Sequence, residues 1–147
     1  MLGTMMNARF AARLALLAAL GLASATGVSM TAQGDGSTEG WRIPASAAGE
    51  SNPVAVSDAV LARGKQLYRS KCQRCHGVAG RGDGPEADPD HRPQDLTDAS
   101  RAARNPDGVV FYKVWNGRRK PKMPAFSTDL SREDVWTLVH YVKTLRK

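Results

Sequence analysis

The chain has 147 residues and a formal net charge of +7, with 41% hydrophobic, 24% charged and only 6% aromatic residues. That length bounds it to one small domain once any export segment is set aside. The charge excess is too modest to point to nucleic acid, and no dehydrogenase or hydrolase motif is present.

Arg9 and Arg13 form a positive start, Leu14 to Ala23 an apolar run, and Ala23-Ser24-Ala25 or Met30-Thr31-Ala32 a small-residue cleavage site. Residues 1–32 therefore read as a signal peptide cut after Ala25 or Ala32, which implies a periplasmic protein. The strictly apolar run falls short of the roughly 20 residues of a membrane span. Leu14 to Met30 is nonetheless free of charge, so an uncleaved anchor is the alternative, and the only route to membrane attachment. Removal leaves about 115 to 122 residues with a net charge of +5.

Residues 33–56 are rich in Gly, Ser, Ala and Pro without sustained periodicity, and read as a flexible leader and an extended strap. Trp41 and Ile43 are its two candidates for tacking onto the domain. From Ser57 the pattern changes. Ser57 is an N-cap, and Val60, Gly64, Leu67 and Tyr68 recur at helical spacing, so a helix is expected from Asp58 to Lys71. Glycine inside a helix costs about 1 kcal/mol relative to alanine, so Gly64 implies close approach of a second helix.

Cys72-Gln73-Arg74-Cys75-His76 follows directly, and these are the only cysteines. Two thiols separated by two residues, with histidine next, are the spacing of a c-type haem attachment site: the thiols add to two vinyl groups and the imidazole sits under the iron. Zinc would need further ligands, and only His91 and His140 remain. A redox dithiol belongs near a βαβ pattern, which is missing here. A simple disulfide is the third alternative. Between Val54 and Lys147 there are six leucines, two phenylalanines, one methionine and no isoleucine. So thin a core leaves room for a buried porphyrin as the staple a small domain needs.

Gly80 to Asp95 is dominated by proline, glycine and aspartate and reads as loop. Asn105-Pro106-Asp107 starts a third helix through Val110, Phe111, Val114 and Trp115, closed by Asn116-Gly117. Core packing is the reading for Phe111 and Trp115, with an indole hydrogen bond to a haem propionate as the alternative for Trp115. A last helix starts after the N-cap Ser131, with Val135, Leu138, Val139, Val142 and Leu145 on one face. His140 projects away from that face and is assigned to solvent.

The only methionine after Met30 is Met123, flanked by Pro121 and Pro124. A second axial ligand to a c-type haem is usually Met or His, so Met123 is the candidate and His91, in a polar run, its competitor.

Taken in order, the Cys72–His76 motif, the Gly80 to Pro85 loop, Asn116-Gly117 and Lys122-Met123-Pro124-Ala125-Phe126 resemble the class I c-type cytochromes, over Ser57 to Lys147. The resemblance implies an all-α cytochrome c fold in residues 57–147, three or more helices and long loops around one haem c per chain. It implies His76 and Met123 as iron ligands, Cys72 and Cys75 as thioether attachments, and the Pro85 carbonyl as acceptor for the proximal imidazole N–H. The expected activity is not enzymatic: a one-electron carrier serving a reductase, dehydrogenase or oxidase. A fixed subunit of a larger redox complex and an open-site haem sensor are the alternatives. Lys71, Arg74, Arg118, Arg119, Lys120 and Lys122 flank the two segments that must meet and form a candidate basic rim for an acidic partner.

Overall fold

The computed structural model describes residues 40–147, where five α-helices carry the architecture: α1 (Ala45–Ala48), α2 (Asp58–Lys71), α3 (Gln73–His76), α4 (Asp107–Asn116) and α5 (Arg132–Thr144). A 3-10 turn at Ala99–Arg101 interrupts the long connection before α4. The fold is all-α; among the described residues the nearest thing to a strand is one antiparallel bridge between Arg118 and Met123. The expected signal peptide, its cleavage sites and the anchor alternative lie outside the described residues. Among those described, no helix is long and apolar enough to cross a membrane.

Caps set the helix bounds. The Ser57 hydroxyl accepts from the Val60 N–H at 3.2 Å, and Ser131 accepts from the Asp134 N–H at 3.0 Å, each satisfying an orphan first-turn donor. Glu133 and Asp134 in the first turn of α5 suit its positive end.

The core sits where α2 crosses α5. A Cβ added to Gly64 would lie 2.7 Å from the Tyr141 Cβ and 2.8 Å from the Thr137 carbonyl. Only hydrogen fits there, which is the packing reason for a glycine inside a helix. Leu67 and Tyr68 of α2 then meet Val135, Leu138, Val139 and Val142 of α5. Burying residues such as Val135, Leu138 and Val139 contributes about 1.5–3 kcal/mol per side chain. Tyr68 and Tyr141 add a tilted ring pair at 5.3 Å.

The second layer is α4 on α5. Phe111 stacks on Trp136 at 4.1 Å and on Trp115 at 5.6 Å, so both phenylalanine and Trp115 serve packing. Trp136, 2% exposed, is a core residue the helical face count leaves out.

The strap differs from expectation in one respect. Ala45–Ala48 forms one helical turn instead of extended chain, held by the Ala47 and Gly49 N–H groups donating to Pro44 and Ala45 carbonyls at 3.0 and 3.3 Å. It is also anchored along its length. Asn52 donates to the Trp136 carbonyl at 2.9 Å, Arg132 pairs with Glu50 at 2.9 Å, and His140 Nε2 bonds the Val54 carbonyl at 2.7 Å. His140 is therefore not solvated: it is half-buried under the strap, because a long-range segment covers the helix face that projection alone leaves open.

Candidate functional site

A cleft opens beside the α2–α5 crossing, and four of the five expected site residues, Cys72, Cys75, His76 and Met123, line it. Local helical geometry explains the first three. Cys75 and His76 both donate their N–H to the Cys72 carbonyl, at 3.1 and 2.9 Å, so Cys72, Cys75 and His76 stand at i, i+3 and i+4 on one face. Cys72 closes α2 through its own N–H to the Tyr68 carbonyl at 2.9 Å. Tyr68 reaches across the turn, its hydroxyl donating to the Gly77 carbonyl at 2.7 Å.

The loop after His76 is zipped back over this turn. Gly82 N–H donates to the His76 carbonyl at 2.9 Å, Gly84 N–H to Cys75 at 3.2 Å, Glu86 N–H to Arg74 at 2.8 Å, and Leu96 N–H to Gly80 at 2.7 Å. Pro85 is carried between the last anchored pair around Arg74, on the outside. It is exposed and does not line the cleft. His76 Nδ1 has no hydrogen-bond partner, so the expected bond to the Pro85 carbonyl is not made. The two flanking amide bonds hold residues 84–86 against the backbone of the turn.

Met123 comes from a separate segment, after α4. Gly117 ends α4 with φ +59°, a left-handed conformation suited to glycine, and an added Cβ would run into the Ala125 amide and the Met123 carbonyl. Arg118 and Met123 then exchange two backbone bonds, at 2.8 and 2.9 Å. Phe126 and Ser127 donate to the Val114 and Trp115 carbonyls at 3.1 and 3.3 Å, docking the turn onto the end of α4. Met123 is half-buried against the core.

The electrostatics suit a neutral donor set. Burial lowers the His76 pKa below its ordinary value, with the Gln94 backbone partly offsetting it, so the ring is neutral with a lone pair free. Burial pushes the Cys72 thiol up to about 12, with Cys75 adding to the effect. A redox dithiol needs the opposite shift. Among the described residues no group of three or more His, Cys, Asp or Glu is placed to hold a metal, which leaves zinc without a ligand set.

The cleft fits a c-type haem on three counts. Two free thiols and an imidazole share one face. A thioether, the other usual axial donor, lines the same cleft. The rim is cationic, as the carboxylates of haem require. Arg101, Lys113 and Arg146 line it around Asn105: Lys113 donates to the Asn105 side chain at 2.7 Å, Arg146 to its carbonyl at 3.0 Å, and Asn105 to the Arg101 carbonyl at 2.8 Å.

Of the basic rim expected from sequence, Lys71, Arg74, Arg118 and Lys122 line the cleft. His91 stands at its edge, exposed, with Nδ1 3.3 Å from Asp88. Trp115 does not line it; the tryptophan that does is Trp41 of the strap, 7% exposed. Arg101, Arg146 and Asn105 escaped the sequence reading because nothing in their local pattern brings three separate segments to one rim.

The family model for cytochrome c matches residues 61–146. No curated protein matches the chain. Among solved structures, it is similar to a chain of the Kuenenia stuttgartiensis reducing HAO-like protein complex Kustc0457/Kustc0458, with 33% identity and a TM-score of 0.57. That match covers 65% of this chain and 47% of the other, so this chain spans about half the length of that relative. The KustC0563 c-type cytochrome is 31% identical with a TM-score of 0.47, over 57% of this chain and 98% of its own.

Proposed function

This chain belongs to the cytochrome c family, and from that premise we propose that it is a one-electron carrier with one covalently held haem c and His76/Met123 axial ligation. The observation that carries the reading is the convergence of Cys72, Cys75, His76 and Met123, drawn from two separate segments, on one cleft. The haem supplies a one-electron couple when bound. Cys72 and Cys75 hold one edge of it through thioethers, and His76 offers a neutral nitrogen whose basicity its surroundings set. Met123 would supply the second protein ligand, and a Met/His pair raises the potential of such a site. Held by both residues, the group would leave no position open for a substrate. Electron transfer is then the activity the residues support.

The partners are redox proteins with an acidic surface. Arg119, Lys120 and Lys122 stand exposed beside the Met123 turn, while Lys71 and Arg74 are engaged with Asp129 and Glu86 at 3.4 Å. Exposed pairs of that kind exchange readily for a partner's carboxylates. Electron-transfer rates that do not change with ionic strength would remove this docking role, since screening acts within about 10 Å at 0.1 M salt. A periplasmic location is part of the proposal and rests on the signal-peptide reading of residues 1–32; recovery of the unprocessed chain from the cytoplasm is the contrary result.

A second reading, a fixed cytochrome subunit of a larger redox assembly, is favoured by the similarity to a chain from a protein complex. Purification as a free monomer supports the carrier, and a stoichiometric complex the subunit. The test of ligation is spectroscopic. The ferric sulfur-to-iron absorption band is expected in the wild type and absent in Met123→Ala, and the reduced wild type is expected to resist carbon monoxide. Rapid, complete carbon monoxide binding to the wild type marks an open site and ends the carrier reading.

A further inference from the structure

Trp41 lies outside the segment that the cytochrome c family model matches, yet its ring is buried and forms part of the cleft wall. Resting on the reading of Met123 as axial ligand, we propose that Trp41 is a positioning residue that clamps the Met123 turn through Arg118. The connection is continuous. The Arg118 guanidinium lies 4.8 Å from the Trp41 ring centroid, within cation–π range. The same guanidinium donates through Nε to the Pro121 carbonyl at 3.0 Å, and the Arg118 backbone pairs twice with Met123. One residue therefore joins the strap, through its side chain, to Pro121 inside the turn and, through its backbone, to Met123, which presents the thioether.

The clamp is stiff from behind as well. Asn52, Glu50 and the Val54 carbonyl fasten the strap to α5. The Lys113 ammonium is a second cationic contact of the Trp41 ring, 5.6 Å from its centroid, and is itself held by Asn105. Residues 118–123 have one backbone bridge and no helix of their own, so a turn this short depends on outside contacts for its position. A thioether is a weak, neutral ligand, and its binding is sensitive to small losses of preorganisation.

The test uses the haem-loaded protein in a urea titration followed in parallel by the ferric sulfur-to-iron band and by far-ultraviolet circular dichroism. In the wild type the two signals are expected to disappear together. In Trp41→Ala the band is expected to disappear at lower urea than the helix signal, with the released form about tenfold more populated in the absence of denaturant, the effect of losing one desolvated cation–π contact. Trp41→Phe, which keeps a ring face, restores most of the difference, and Arg118→Leu reproduces it. If band and helix signal in Trp41→Ala fall by the same amount, or neither moves, the clamp is overturned and Trp41 is simply core. Should Trp41→Ala fail to accumulate, Arg118→Leu decides by the same criterion. Met123→Ala separates the two levels: a band that persists there overturns the axial reading itself, whereas a band lost there but untouched by Trp41→Ala and Arg118→Leu overturns only the clamp.

Discussion

Where α2 crosses α5, side chains meet side chains: Gly64 lets the backbones touch, and Leu67, Tyr68, Val135, Leu138 and Val139 fill the seam, Tyr68 and Leu138 also reaching the cleft wall. On the cleft side the described chain from 77 to 98 and from 117 to 126 carries no regular helix. Its order comes from single backbone bonds to the Cys72–His76 turn and to the end of α4. The first region is finished by its own residues; the second is a lining, shaped to something it encloses. The contrast teaches that the seam sets where the domain stands, while the cofactor completes it.

The strongest way to break this comparison is to withhold the haem. Cys72→Ala/Cys75→Ala should lose the cooperative thermal transition and most of its helix signal, because the cleft lining has nothing to pack on and the seam alone is too small a core. A haem-free chain that melts cooperatively near the holoprotein's temperature ends the idea that the cofactor completes the fold.

Two glycines sharpen it. Gly117→Ala forces an unfavourable φ and drives a methyl into the Ala125 amide, so about 2–3 kcal/mol is expected, together with early loss of the sulfur-to-iron band. Gly64→Ala meets the Tyr141 Cβ and the Thr137 carbonyl. The overpacking outweighs the helix-propensity gain and leaves about 1–2 kcal/mol of destabilisation, seen as a lower Tm with the band intact until global unfolding. Identical spectra for the two variants would mean that the regions are not separable.

The smallest effect tests the residue that spans both regions. Tyr68 packs in the seam and donates to Gly77 beside the haem motif. Burial raises its pKa well above the ordinary phenol value, with Cys72, Tyr141 and Asp83 adding to the shift. Above about pH 10 the unfolded phenol loses its proton while the folded one keeps it. The folded state then binds more protons, so stability falls as pH rises, by at most about 1.4 kcal/mol per pH unit. Tyr68→Phe should cost about 1 kcal/mol at neutral pH through the unpaired Gly77 carbonyl and flatten the alkaline fall. Urea midpoints at neutral and alkaline pH decide it; an unchanged alkaline slope means that the shift resides elsewhere.

Much of the seam is local information. Ser57 and Ser131 cap the helices the periodicity predicts, α2 runs over Asp58–Lys71 as expected, and Gly64 signalled the crossing through its helix penalty alone. The Cys72–His76 spacing states its chemistry because one helical turn is enough to align the three side chains. The strap is less legible. Its helical turn at Ala45–Ala48 and the His140 bond to Val54 depend on where a distant segment lies. So do Trp136 in the core and the failure of Pro85 to meet His76.

By itself the sequence determined the haem motif, the three long helices and the candidacy of Met123, the one methionine after Met30, because each is set by composition or by contacts within one or two turns. Only the tertiary structure decided which side chains wall the cleft: Trp41 from the strap, and Arg101, Lys113 and Arg146 gathered around Asn105. Those contacts join segments far apart in the chain, and no local pattern carries the register in which folded segments meet.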